Sequence, residues 1–149
     1  MIKRLTLFLL CALLLSACGG EVEDTRPGQP VAHRRDAFKA LLRSFEPIGV
    51  MMRTDDFNPD EFARRVGEVK SLRNGPWQYF LPDTNYPPTK AKPEVWSDTA
   101  RFEAQRDAFL KATDRLVEVA DTTDKAVAKA AFEAVQNACS DCHKAFKNR

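Results

Sequence analysis

The chain has 149 residues, with 23 Lys and Arg against 21 Asp and Glu. Setting aside Lys3 and Arg4 leaves 21 basic against 21 acidic side chains, so the remainder is formally neutral and no nucleic-acid-binding surface is implied. About 120 residues beyond the N-terminal segment suffice for one small domain with its own core.

The first element is not part of that domain. In "MIKRLTLFLLCALLLSAC" a basic start is followed by an apolar run from Leu5 to Leu15 and then small residues, which is the pattern of a secretory leader and too short for a spanning helix. "LSAC" at 15–18 looks like the lipobox of bacterial lipoproteins, where the leader is cut before the cysteine and its sulfur is diacylated. The alternative is an ordinary signal peptide with an incidental Cys18. Acyl chains contribute about 0.8 kcal/mol per buried CH₂, so two or three hold a protein on a membrane stably. "GGEVEDTRPGQP" then reads as a flexible spacer. The expected divisions are a lipoprotein signal peptide over 1–17, lipidated Cys18 with its spacer over 18–30, and a folded domain over 31–149. The expected place is the periplasmic side of a bacterial cell envelope. Gly19 after the cysteine, in place of an aspartate, favours the outer membrane.

Four segments with helical periodicity follow, and none alternates like a strand. In "VAHRRDAFKALLRSFEPIGVMMRT", Phe38, Leu41, Phe45, Ile48 and Met52 form one apolar stripe, and Pro47 is expected to kink the helix. The next segment, "NPDEFARRVGEVKSL", opens with a cap at Asn58, Pro59 in the first helical position and Glu61 as a capping-box partner; Phe62, Val66 and Val69 face inward. A long connection, "NGPWQYFLPDTNYPPTKAKPEVW", holds five of the nine prolines together with Trp77, Tyr79, Phe80, Tyr86 and Trp96. Disordered segments are poor in aromatic rings, so this one is expected to be an ordered crossover covering one end of the fold. "SDTARFEAQRDAFLKATDRLVEVAD" turns Phe102, Phe109, Leu116 and Ala120 to one side. The last segment runs Val127, Ala131, Val135, Cys139, Cys142 and Phe146 along one stripe. The four stripes want a common interior, and the fold class is all-α: an antiparallel four-helix bundle.

Chemistry concentrates in "CSDCHKAF". A C-x-x-C-H reads as a redox dithiol, half a zinc site, or a c-type haem attachment. A structural zinc site wants four N/S ligands, and beyond this motif only His33 is offered. A thioredoxin-like dithiol wants a βαβ pattern that is absent here, although an exported protein could hold a simple disulfide. On a helix, Cys139, Cys142 and His143 stand at i, i+3 and i+4 and share a face. Two thioether bonds would fix a haem macrocycle, and His143 would give its iron an axial nitrogen. The cofactor expected is therefore haem c, covalently bound on the C-terminal helix.

From about His33 to Lys147 the sequence resembles the cytochrome c prime family, through "HRRDAFKALL", "GPWQYF", "AKPEVW", "RFEAQRDAFLKATDRL" and "CSDCHKAF". In this family the haem lies far toward the C-terminus. The six residues after His143 include no methionine to act as a second ligand. The resemblance implies that Arg34 reaches the haem propionates and that Phe38, four residues on, stands over the iron. A phenyl ring cannot ligate, so five-coordinate iron held by His143 alone is implied. Phe38 is bulkier than the leucine common in the family and should restrict access. Met51 and Met52 lie more than three turns from Phe38 and are read as core. His33 is read as a solvated residue near the propionate edge. Lys147 takes a proximal place where arginine is common.

An apolar distal wall gives bound O₂ no hydrogen-bond donor, whereas NO and CO need little polar help. The resemblance thus implies NO or CO as ligand, with nitrosative-stress defence or electron transfer as the role. The alternative is a periplasmic electron-transfer cytochrome with six-coordinate low-spin haem, for which the redox partner protein is not specified by the sequence. A haem enzyme acting on NO or peroxide is a third reading, and Phe38 offers it no acid–base group. Expected associations are with a membrane through the lipid anchor, with a homodimer left open, and not with nucleic acid.

Overall fold

The computed structural model describes residues 22–148. The leader and Cys18 lie outside the described residues. The elements are α1 (Pro30–Arg53), α2 (Pro59–Leu72), a 3₁₀ turn (Trp77–Tyr79), a short α3 (Glu94–Ser97), α4 (Thr99–Glu118) and α5 (Lys125–Phe146). Among the described residues the β pairing is a single bridge between Ala91 and Lys147. The long helices α1, α2, α4 and α5 make the expected four-helix bundle, in which α4 packs most extensively on α5 and α1 on α2. No helix among the described residues is long and apolar enough to cross a membrane.

Each long helix begins for a local reason. Pro30 sits in the first turn of α1, where its missing N–H costs nothing. The next two N–H groups, of Val31 and Ala32, donate to Asp24 Oδ2 at 2.9 and 3.2 Å. Asn58 Oδ1 accepts the Glu61 N–H at 3.0 Å, capping α2 as expected. The other half of the capping box is diverted, because the Glu61 carboxylate takes Arg64 at 2.6 Å and Arg65 at 2.8 Å. Those two guanidiniums hold its pKa down to about 2. Asp124 caps α5 by accepting from Ala126 N–H at 2.7 Å.

The core contains Leu41, Ile48, Met51, Met52, Phe62, Val66, Val69, Phe109, Leu116 and Val135. Full burial of one such side chain contributes about 1.5–3 kcal/mol, so these positions set the bundle. Both methionines pack in this core. Pro47 lies inside α1, and the helix continues past it to Arg53. One expectation needs correction. On α5, Val127 is exposed, and Ala128 and Phe132 are buried instead. The stripe that passes through Cys139 and Val135 continues back through Phe132 and Ala128 at helical spacing, so Val127 falls outside it.

The crossover is ordered, and its rings cover one end of the bundle. Trp77 Nε1–H donates to Arg73 O at 2.8 Å, and Trp96 Nε1–H donates to Leu81 O at 2.9 Å. Tyr86 OH donates to Asp24 Oδ1 at 3.0 Å, tying the crossover to the N-terminal segment. Asp24 is almost fully buried. Burial alone would raise its pKa, but hydrogen bonds from Arg26, Ala32, Tyr86 and Val31 outweigh it and hold the carboxyl below its ordinary value. The stretch expected as a flexible spacer over 18–30 is therefore tied to the domain from Asp24 onward.

Candidate functional site at the C-terminal helix

A cavity of about 640 Å³ opens between α1 and α5. From α5, Val135, Cys139, Cys142, His143 and Phe146 line it; from α1, Arg34, Phe38, Leu41 and Phe45 do so. Trp77, Phe80, Phe102 and Phe109 close its end. The motif on the last helix and the two residues expected on the first thus meet at one apolar space. Phe38 and Phe45 belong to the apolar stripe of α1 but are only half-buried, because both also face this cavity.

Cys139 and Cys142 are free thiols. Burial first, and then the neighbouring Cys142, push the Cys139 thiol up to about 11; burial also raises Cys142. A dithiol built for disulfide exchange has a lowered thiol pKa, so these two are poor candidates for that chemistry. His143 shows the opposite direction. Partial desolvation, with a smaller contribution from the Lys147 ammonium, lowers the imidazole pKa and favours the neutral ring, whose free nitrogen lone pair could bind a metal.

Opposite this helix, Phe38 meets Trp77 edge-on at 5.6 Å and 86°, and Phe80 at 6.3 Å and 75°. Behind them Trp77 packs on Phe109 and Phe80 on Phe102. Arg34, one turn earlier, is 5% exposed and lies over the Phe80 ring at 4.6 Å. Its Nη1 donates to Tyr79 O at 3.0 Å and Thr84 Oγ1 at 3.2 Å; its Nη2 donates to Thr84 O at 3.4 Å and Thr89 Oγ1 at 2.7 Å. The terminal donors expected to reach propionates are thus turned to the crossover. His33 stacks on Tyr79 at 5.4 Å and does not line the cavity. Neither Met51 nor Met52 lines it.

Several contributors escaped sequence reading. Thr84 and Thr89 carry no motif, and only the placement of Arg34 finds them. Phe132 stacks on Phe45 at 4.7 Å and 18°, forming the inner wall. It fits there because Gly49 is bare: a Cβ at that position would come within 2.9 Å of Phe132 Cζ. A glycine on the inner stripe of a helix was the available signal.

These residues fit a haem. The cavity lies within the roughly 300–1,000 Å³ usual for cofactor sites, and its walls are apolar and aromatic. The charged groups on its lining are Arg34, Arg35, Lys39, Arg53, Lys90 and Lys147 against the single carboxylate of Glu46. All four acceptors around the buried Arg34 are neutral. Such a lining suits an apolar macrocycle that carries carboxylates at its edge.

The fold and site define a class, the c-type haem proteins built as four-helix bundles. Comparison with known proteins agrees: residues 29–147 match the Cytochrome C' family. A cytochrome c' from Rubrivivax gelatinosus is 34% identical over 126 residues, covering 83% of this chain and 98% of that protein. The crystal structure of cytochrome c' from Rubrivivax gelatinosus superposes with a TM-score of 0.78, covering 85% of this chain and all of the other. The nitric oxide complex of a leucine-to-alanine mutant of cytochrome c prime from Alcaligenes xylosoxidans, 28% identical, gives 0.77 and covers 85% of this chain and 99% of that one. The chain belongs to the cytochrome c' family, whose members carry covalently bound haem c with iron.

Proposed function

We propose that this protein is a gas-binding haem protein in which Cys139 and Cys142 hold the macrocycle by thioethers and His143 is the axial ligand. When bound, the haem would supply an iron able to take up a diatomic ligand. Phe38 stands across the cavity from His143; it can neither ligate iron nor exchange protons, and this observation carries the reading. Trp77 and Phe80 behind it exclude water and make the ring costly to displace. Lys147 favours the neutral form of His143. The cationic lining, with Arg34 contributing its charge from against the Phe80 ring, would offset the carboxylates of the macrocycle. NO and CO are the ligands favoured, since leucine-substituted variants of cytochrome c prime from Alcaligenes xylosoxidans are known as complexes with nitric oxide and with carbon monoxide. Capture of NO on the periplasmic side would serve nitrosative-stress defence. The test is the absorption spectrum of the pure protein, oxidised, reduced, and reduced with CO or NO. Five-coordinate spectra that shift on adding gas are expected, and a reduced protein inert to both gases would defeat the reading.

Electron transfer is the second reading, favoured by one observation. The excess of cationic over acidic side chains on the cavity lining suits docking of an acidic redox partner.

Anchoring at Cys18 is part of the proposal and rests on "LSAC". Mass spectrometry of protein from its native host should find a chain beginning at acylated Cys18, in the outer-membrane fraction. An unacylated chain released to the periplasm would refute it.

A further inference from the structure

The last turn of α5 carries His143, and helix ends fray unless their terminal carbonyls find partners. The crossover supplies them. Lys92 N–H donates to Phe146 O at 2.9 Å, and Lys92 Nζ donates to Lys144 O at 2.9 Å. Asn148 N–H donates to Lys90 O at 2.8 Å, beside the bridge between Ala91 and Lys147. Within the helix, Lys147 N–H donates to His143 O at 3.1 Å. Residues 89–92 therefore form a strap across the end of α5, and Thr89, Lys90 and Ala91 also line the cavity. The Lys92 ammonium also sits where the helix dipole favours positive charge.

The strap is tied to the crossover by Thr89 N–H to Tyr86 O at 2.9 Å and by Val95 N–H to Lys92 O at 3.2 Å, and to α1 through one hydroxyl. Thr89 Oγ1 accepts from Arg34 Nη2 at 2.7 Å and from the Ala91 N–H at 3.1 Å. Arg34 is a firm support, because it is buried in α1 and its other donors grip Tyr79 and Thr84. One residue thus connects the helix that bears Phe38 to the turn that bears His143, along hydrogen bonds that belong to no helix.

We propose that Thr89 is a positioning residue for His143. It ties the strap to Arg34, and the strap holds the last turn of α5, and with it the imidazole, in one orientation. The inference rests on His143 being the axial ligand and is independent of gas binding.

Thr89→Val tests it in the haem-loaded protein, since valine keeps the shape and removes the acceptor. Amide hydrogen exchange at Lys92, Lys147 and Asn148 should quicken roughly ten- to a hundredfold, the scale of one lost hydrogen bond to a charged donor, while the cores of α2 and α4 keep parental rates. The iron–histidine vibration of the reduced protein should broaden or shift, and Thr89→Ser should restore both properties. Parental exchange at those three amides would overturn the proposal. So would faster exchange there with an unaltered iron–histidine band, or an equal acceleration throughout α2 and α4. A parent without any iron–histidine band would remove the ligand assignment itself, and that failure is visible before any variant is made. Because the vibration is read without gas, a protein inert to CO tests Thr89 equally well.

Discussion

Phe38→Ala is expected to bind CO faster and more tightly than the parent and yet to melt lower. The ring lies on the cavity wall, edge-on to Trp77 and Phe80, and on the proposed reading a ligand entering opposite His143 would have to move it. In a close-packed aromatic cluster that movement opposes binding, so removing the ring removes the opposition. The same truncation forfeits buried apolar contact. Phe-to-Ala changes in cores cost about 3–5 kcal/mol, and the lower end applies because Phe38 is only half-buried. For a domain of this size that corresponds to a fall in Tm of roughly 10 °C. Stopped-flow CO binding and a thermal melt of the haem-loaded protein check the two arms. A variant that melts lower while binding CO at the parental rate would show that Phe38 packs but does not screen.

The second large effect is loss of the cofactor. When both Cys139 and Cys142 are replaced by Ala, acid–acetone should extract all of the haem, whereas the parent should keep it on the denatured chain. The two thiols are three residues apart on α5 and both line the cavity, so each can bond to the macrocycle from the same helix face. Without the bonds the folded state also loses a ligand that its unfolded chain would otherwise retain, and the bundle should be weakened wherever haem is not in excess. A parent chain that releases its haem on extraction would end the covalent reading.

How much of this was legible beforehand depended on whether the signal was local. Asn58 as a cap and the inner face Phe62, Val66 and Val69 depend on chemistry within one or two turns, and the structure reproduces them. So does the shared face of Cys139, Cys142 and His143, since helical spacing fixes it. Arg34 is different. Its family resemblance points toward propionates, but what its terminal donors meet is Tyr79, Thr84 and Thr89, some 45 to 55 residues away in sequence. No local pattern encodes such partners. Val127 misled because an apolar β-branched residue near the stripe outweighs the small Ala128, which the close packing of α4 on α5 prefers. Asp24 was hidden by its neighbours: a Gly- and Pro-rich surrounding reads as a spacer, while its carboxylate gains four donors only after Tyr86 arrives from the crossover.

The central claim is that His143 is the only protein ligand to the iron and that Phe38 screens a vacant sixth position. The absorption spectrum bears on it most directly, recorded for the parent and for Met51→Leu and Met52→Leu. The account predicts a high-spin, five-coordinate spectrum in the reduced parent, changed by CO and left nearly intact by either methionine substitution. A low-spin, six-coordinate parent that turns high-spin on one of those substitutions would contradict it, and would make the protein an electron carrier with a closed haem.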